Sequence, residues 1–176
     1  MGFLDKIKGA GAGVLTSVDP EPGTEPQPAE EVRARLLAIT GKGIEAAEED
    51  GGVTVMWSAK VKASSPLGAT YKHEVRAIHL TLDESKHVAD AKCVSKSTAA
   101  EGAGGAAKLG GLLSGSASKN WSSGPQTGSE TFHVVAWLGP HETSGGADES
   151  GFKFSWSDLR RPVIDAVTGA GWTYKP

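Results

Sequence analysis

Apolar and polar residues alternate strictly between Val53 and Ala63, and this pattern predicts the clearest strand of the chain. One set of alternate positions is apolar and contains Val53, Val55, Trp57, Ala59, Val61 and Ala63. The other set contains Thr54, Met56, Ser58, Lys60 and Lys62. We expect such a strand to turn one dry face to a core and one wet face to solvent.

Similar alternation recurs in four later segments, each predicted to be an antiparallel strand: about Tyr71–Leu82, His87–Ser95, Glu130–Leu138 and Phe152–Trp156. The residues Asp83–Lys86 have the composition of a hairpin turn, which would place His79 beside Asp90 on the next strand. Ile44–Asp50 fits either a helical turn or the first arm of a hairpin, because turn-forming residues follow it. Gly171–Tyr174 is predicted to be a short terminal strand or anchor.

Helical spacing of apolar residues appears on both sides of this strand-rich region. The first helix is predicted over Pro28–Thr40. The second runs to about Thr168 and is capped or initiated at Ser157 or Asp158, while Pro162 indicates that its regular part begins near that residue. One face of each helix is apolar: Val32, Leu36 and Ile39 in the first, and Leu159, Val163 and Val167 in the second. Short helices with such a stripe need a surface to pack on.

These elements predict an α+β fold. We expect a curved antiparallel sheet of five or six strands, with an N-terminal and a C-terminal helix packed on one face. A small closed barrel capped by a helix is the alternative architecture. Residues 29–176 are long enough to form a single domain around one core.

Two segments differ in composition from this domain. Residues 1–28 combine a weakly amphipathic stretch, Met1–Leu15, with a proline-rich linker that is expected to be extended and to detach that stretch from the domain. In residues 97–129, 21 of the 33 residues are Gly, Ser or Ala, and this length is unusual for a connection in a compact domain. The segment is therefore a mobile loop, a functional loop, or a loop with a short element around Leu109–Leu113.

Composition and charge exclude several classes of protein. The formal net charge of −3 disfavours a basic nucleic-acid-binding domain. The single cysteine excludes an internal disulfide framework and a cysteine-based zinc site. The sequence has neither a long apolar run nor a signal-like start, so we expect a cytoplasmic protein of bacterial type. The stretch Met1–Leu15 adds the expectation of weak peripheral membrane contact.

Motifs that carry catalysis or cofactor binding are not matched. Gly102–Ala107 fits a relaxed dinucleotide pattern, but no helix of a βαβ unit follows it. Cys93 would need a base to act as a nucleophile, and only His79 or His87 could approach it across the hairpin. The five histidines lack the spacing of a common metal site. We therefore predict no catalytic, cofactor-binding or metal-binding residue.

The candidate binding surface consists of Trp121, His133, Trp137, Lys60 and Lys62. Between Lys60 and Lys96 the chain has seven basic and four acidic residues, a difference of +3, which suits an acidic partner or anionic lipid. Trp121 is an aromatic residue in the glycine-rich segment and would anchor it to the body. Trp137 lies on the more polar side of its strand together with His133, which makes it a candidate surface or pocket aromatic.

The two ends of the chain carry a resemblance. Arg161-Pro162-Val163-Ile164-Asp165-Ala166-Val167, the following Ala170-Gly171-Trp172 and the opening Met1-Gly2-Phe3-Leu4-Asp5-Lys6 are similar to those of uncharacterised small bacterial proteins. The similarity covers the ends and the strand of Trp57, and it stops at the glycine-rich segment. That group has no assigned activity, so the resemblance implies no functional residue.

Three functions fit these observations. The first is a non-enzymatic binding or assembly protein that uses a protein partner or self-association. The second is a carrier for a small apolar ligand or lipid, because helices over a curved sheet can enclose a cavity. The third is a protein that attaches to a membrane through residues 1–15. An enzyme stays open, since catalytic residues can come together from distant parts of a chain.

Overall fold

The computed structural model of the protein describes residues 16–65, 68–99, 120–122, 126–138 and 148–176. These residues contain two helices, α1 (Ala29–Leu37) and α2 (Trp156–Thr168). They also contain eight strands: β1 (Ile44–Glu49), β2 (Gly52–Ser65), β3 (Gly68–Asp83), β4 (Val88–Ala99), β5 (Asn120–Ser122), β6 (Ser129–Trp137), β7 (Glu149–Ser155) and β8 (Thr173–Lys175). The predicted α+β class is confirmed. The amphipathic stretch Met1–Leu15 and the element around Leu109–Leu113 lie outside the described residues.

A long antiparallel meander of β2, β3 and β4 forms the centre of the sheet. Each outer edge of the meander is shared by two shorter strands. On β2, β1 pairs with Gly52–Trp57 and β6 pairs with Ala59–Val61. On β4, the parallel strand β8 pairs with Val88–Asp90 and β5 pairs with Cys93–Ser95. The described sheet is open, because its end strands β5 and β7 are not paired with each other.

Both helices pack on one face of this sheet, as the apolar spacing predicted. Val32 and Leu36 of α1 join Leu159 and Val163 of α2 in the same buried cluster as the apolar side of β2. Trp57 lies in this cluster and is surrounded by aromatic rings: Phe132 at 5.3 Å, Phe152 at 5.8 Å, Phe154 at 4.9 Å and Trp137 at 6.3 Å between centroids. Contacts of this kind stabilise a core beyond the area that they bury.

The opposite face of the meander is buried near its middle, which the alternation in β2 did not predict. Met56 packs there with Val75, Ala77 and Val94 in a second apolar cluster. The neighbouring Thr54 and Ser58 are buried as well, so the expectation of a wet face is wrong over this stretch. Threonine, methionine and serine occur in both environments, and their alternation with valine therefore did not decide between solvent and burial.

The helix α2 begins at Trp156, one residue before the first of the two predicted start residues, Ser157 and Asp158, and six residues before the regular part predicted near Pro162. Ser155 occupies the N-cap position and its hydroxyl accepts a hydrogen bond from the Ser157 amide at 3.3 Å. Asp158 adds a negative charge in the first turn. These two features are strong signals for a helix start, and Pro162 lies inside the helix that they begin. The ambiguous segment Ile44–Asp50 forms the strand β1 rather than a helical turn.

The hairpin between β3 and β4 turns one residue later than predicted, over 84–87. His87 adopts a left-handed backbone (φ 51°) in the turn and is not part of a strand. The register moves by two residues, so His79 pairs with Lys92 instead of Asp90. Cys93 joins the helix-covered core, whereas His79 lies on the other face and contacts the Thr54 hydroxyl at 2.9 Å. Neither histidine is therefore placed to act as a base for Cys93.

The proline-rich linker is exposed, as predicted, but it is fastened to the C-terminal segment. Val18 and Tyr174 exchange two backbone hydrogen bonds, of 2.8 and 2.9 Å. The Gln27 amide donates to the Ala170 carbonyl at 2.9 Å, and the Trp172 indole donates to the Gln27 carbonyl at 2.7 Å. We call residues 18–28 the strap. The strap lies against the domain and does not act as a free spacer.

Candidate functional site

The structure separates the five residues of the predicted surface. Lys60, Lys62 and His133 lie on the sheet face away from the helices. Trp137 lies on the helix-covered face. Trp121 belongs to β5 and pairs in register with Val94, and its side chain lies outside the described part of the protein.

The expectation that Trp137 shares a face with His133 is wrong. β2 and β6 shift their register between Lys60 and Val61, because β6 carries one extra residue there, Val135. A bulge of this type inverts the alternation of side chains that follow it. Trp137 is consequently only 9% exposed and packs edge-on among the core aromatic rings. It is a core residue and no longer part of the candidate surface.

The candidate site is formed by the far ends of β2 and β3, with Lys60, Lys62, Tyr71, His73 and His133, and we call it the hairpin surface. Lys62 pairs in register with Tyr71, and Lys60 pairs with His73. The Tyr71 side chain is 41% exposed, an unusual position for a large ring. The Lys60 ammonium group lies 5.2 Å from the centroid of that ring, within cation–π range.

This pair of strands extends beyond its neighbours. β6 pairs with β2 only as far as Val61, and β4 pairs with β3 only as far as Lys72. Over residues 62–65 and 69–71, no strand of the described chain pairs with the outer edge of either β2 or β3. Backbone donors and acceptors at such an edge can bond to an added strand.

Charge on the hairpin surface is mainly positive. Burial, and then the nearby charge of Lys60, lower the pKa of His73, so its imidazole is neutral at pH 7. His133 contacts the exposed carboxylate of Asp148. That contact, with a smaller effect of the Lys62 charge, lowers the pKa of Asp148. The surface therefore presents lysine ammonium groups beside one aromatic ring and one carboxylate.

A buried ion cluster lies next to Trp57 on the helix-covered face, and sequence reasoning missed it. Arg76 donates from Nε and Nη2 to the two carboxylate oxygens of Glu130, at 2.9 and 2.7 Å, and from Nη1 to Glu74 at 2.9 Å. Glu74 also accepts a hydrogen bond from Ser97 at 2.6 Å. Because these charges are paired with one another, we assign the cluster a structural role and not a role in ligand binding. Its signal in the sequence was the pair of oppositely charged residues, Glu74 and Arg76, at alternate positions that continue the apolar face of Ile78 and Leu80.

Among the described residues, no group of three or more His, Cys, Asp or Glu side chains could hold a metal ion. Cys93 is buried, and its thiol is free rather than part of a disulfide. No helix in the described part is long and apolar enough to span a bilayer.

Comparison of the chain with protein-family models, curated proteins and solved structures finds no match. The resemblance of its two ends to uncharacterised small bacterial proteins stays a prediction. The hairpin surface is accordingly the basis for a functional assignment.

Proposed function

We propose that the protein is a non-enzymatic binding protein that holds an extended, acidic segment of a protein partner on the hairpin surface. The observation that carries this proposal is the open end of the β2–β3 pair, where Lys62 and the exposed ring of Tyr71 lie opposite each other. A cytoplasmic location in a bacterium is part of the same proposal.

Strand addition would supply the affinity. An extended peptide can bond to the open edge of β2 or β3 through its backbone, while its alternate side chains contact one face of the hairpin. Glutamate or aspartate side chains on that face would meet the ammonium group of Lys62. The Tyr71 ring offers an apolar area with a polar tip, a type of residue that often anchors interfaces.

A carrier for an apolar ligand is less well supported. The volume between the helices and the sheet contains the packed rings around Trp57, several of them within 6 Å of it. A ligand would have to displace these contacts. We therefore favour recognition on the surface over storage in the interior.

The first prediction tests the hairpin surface directly. A fluorescently labelled decaglutamate peptide serves as the acidic probe, and fluorescence anisotropy measures its binding. Lys62→Glu should weaken binding at least about tenfold, because an attractive charge pair becomes repulsive. The affinity of the wild-type protein should fall as salt is added, since exposed charges are screened.

Lys92→Glu is the matched control. Lys92 is exposed on the same face of the sheet, in register with His79 and therefore far along the strands from Lys62. Its substitution makes the same change in net charge and should leave the affinity within about twofold. Equal losses in the two variants would contradict a local site. Binding of anionic vesicles but not of the peptide would replace the proposal with membrane attachment.

A further inference from the structure

The strand β1 has an outer edge to which no other described strand is paired. Within the described sheet, β1 pairs only with β2. Ile44 exchanges two backbone hydrogen bonds with Gly41, of 3.0 and 3.1 Å, so its backbone groups point away from β2. Because this direction repeats at every second residue of a strand, Ala46 and Glu48 also point their N–H and C=O groups to the outer edge. The Glu48 side chain beside them is exposed.

The open end of β2 has an edge of the same kind. Ser58 uses its amide to bond to the Gly43 carbonyl at 2.8 Å and its carbonyl to accept from the Leu138 amide at 3.2 Å, both on the outer edge of β2. β2 keeps an unbroken register with β3 from Val53 to its end, so the backbone groups of residues 62 and 64 point to that same edge. β6, the described strand on this side, pairs with β2 only as far as Val61.

These two edges are complementary in geometry and in charge. In an antiparallel pair, residues whose backbone groups point at each other lie directly opposite, with their side chains on the same face. Joining the edge of β1 to that of β2 in this way sets Glu48 opposite Lys62 and Ala46 opposite Ser64. A carboxylate then lies beside an ammonium group, and opposite charges at directly paired positions stabilise a strand pair.

We propose that the acidic segment held on the hairpin surface is β1 of a second copy of this chain, added antiparallel to residues 62–65 of β2. This inference rests on the proposed function, because it uses the same open edge and names the partner. Like edges repel, since two hairpin surfaces bring lysines together and two β1 edges bring glutamates together. The contact is therefore head to tail, and its repetition gives a ring or an open chain of copies.

The positions of the two charges also determine how neighbouring copies are oriented. Glu48 pairs in register with Val53 and lies on the helix-covered side of β1, whereas Lys62 lies on the sheet face away from the helices. Placing both side chains on one face of the continued sheet turns the helices of consecutive copies to opposite sides. The helices of two neighbours then do not compete for the same space.

Sedimentation velocity of the full chain between about 20 μM and about 1 mM tests the contact, because a short edge makes a small and weak interface. The weight-average mass of the wild-type protein should rise with concentration and return toward that of the monomer as salt is added. Lys62→Glu and Glu48→Lys should each weaken association at least about tenfold, because both place like charges opposite each other. Lys92→Glu and Glu21→Lys, which make the same charge changes at residues outside the contact, should associate as the wild type does.

An equimolar mixture of the two contact variants is the decisive sample. Copies that alternate in the mixture meet through one lysine and one glutamate at every contact, so association should return to within about twofold of the wild type. The formal net charge of −3 becomes −5 in Lys62→Glu and −1 in Glu48→Lys, so both variants stay negative and attraction between opposite net charges does not explain the recovery. Recovery also shows that both variants are folded.

Decaglutamate separates this inference from the proposed function. Glu48→Lys keeps the hairpin surface intact and should bind the peptide as the wild type does. A wild-type protein that binds decaglutamate but stays monomeric at about 1 mM overturns the inference and leaves the proposed function in place. Association that persists in both contact variants, or that does not return in their mixture, overturns it as well. Association with the expected charge dependence in a protein that does not bind decaglutamate supports the inference and contradicts the more general acidic partner.

Discussion

Two carboxylates in this protein differ in their surroundings, since Glu130 is nearly half exposed and Glu45 is buried, and this difference determines how each affects stability. Glu130 accepts two hydrogen bonds from Arg76, which lower its pKa. Glu45 is buried on β1 with one oxygen unpartnered, and burial raises its pKa. The two residues should therefore give stability opposite dependences on pH.

Glu130→Gln should destabilise the protein by about 1 kcal/mol at pH 7, a modest value because the Glu130 side chain is nearly half exposed. A carboxylate with a lowered pKa stabilises the fold above its ordinary pKa of 4.5. That contribution is lost as the pH falls through the lowered value. Urea unfolding should thus show the difference between variant and wild type shrinking below about pH 4.5.

Glu31→Gln is the control for Glu130. It removes an exposed pair with Arg35 on α1, at 3.0 Å. Its effect should stay within about 0.5 kcal/mol at every pH. An equal loss in both variants would show that the burial of Arg76 adds nothing to its pair.

Glu45→Gln should stabilise the protein at pH 7. The raised pKa means that the folded state holds its proton more tightly than the unfolded state. Stability therefore falls as the pH rises from the ordinary value of 4.5 through the raised one. The gain in the Tm of the variant should be largest at neutral pH and vanish toward about pH 4.

Glu48→Gln provides the comparison for Glu45. Glu48 lies on the same strand and is exposed. The substitution should leave the Tm unchanged between pH 4 and pH 7, because an exposed carboxylate loses little hydration on folding. A pH-independent gain at Glu45 would indicate that packing, and not charge, is responsible.

At the scale of elements, the strap is the feature that ties the two ends of the described chain together. At Gly171 the C-terminal segment lies directly against the strap. This glycine has a φ of 76°, and a Cβ there would lie 2.5 Å from the Glu25 carbonyl oxygen. Gly23, in the strap itself, has a φ of 90° with open space around it.

Gly171→Ala should therefore cost at least about 2 kcal/mol, from the left-handed backbone and from displacement of the strap. Gly23→Ala introduces only the strain of a left-handed backbone and should lower the free energy of unfolding by about 1 kcal/mol. Chemical denaturation of both variants measures the difference. Equal costs would mean that the strap moves aside freely and does not help to hold the fold.

The elements also show where a residue pattern is sufficient and where it is not. The alternation in β2 and the apolar stripes of both helices were predicted well, because each residue's preference for burial repeats with the period of its element. The burial of the Trp137 side chain on the helix-covered face was not predicted. It depends on a β-bulge at Val135, and the residue types around a bulge of this kind do not predict it. The β3–β4 register was missed by two residues because the turn, and not the strands, sets it.

At the scale of the whole molecule, the sheet has two buried faces instead of one. The helices cover one face, and Met56, Val75, Ala77 and Val94 are buried on the other. This arrangement restricts the open surface of the meander to its ends. The hairpin surface is the basic one of these ends. Lys60 and Lys62 therefore belong to the candidate site, whereas Trp137 belongs to the core.

The amino-acid sequence by itself determined the fold class, the two helices and the long strands, because periodic burial is a property of neighbouring residues. It also indicated Lys60, Lys62 and His133 as surface residues. Only the tertiary structure decided which charges are buried and what meets them. Arg76 and Arg160 are both arginines on amphipathic elements, yet within the described residues Arg76 pairs with two carboxylates and Arg160 pairs with none. Contacts between residues distant in the chain make that difference, and no local pattern contains them.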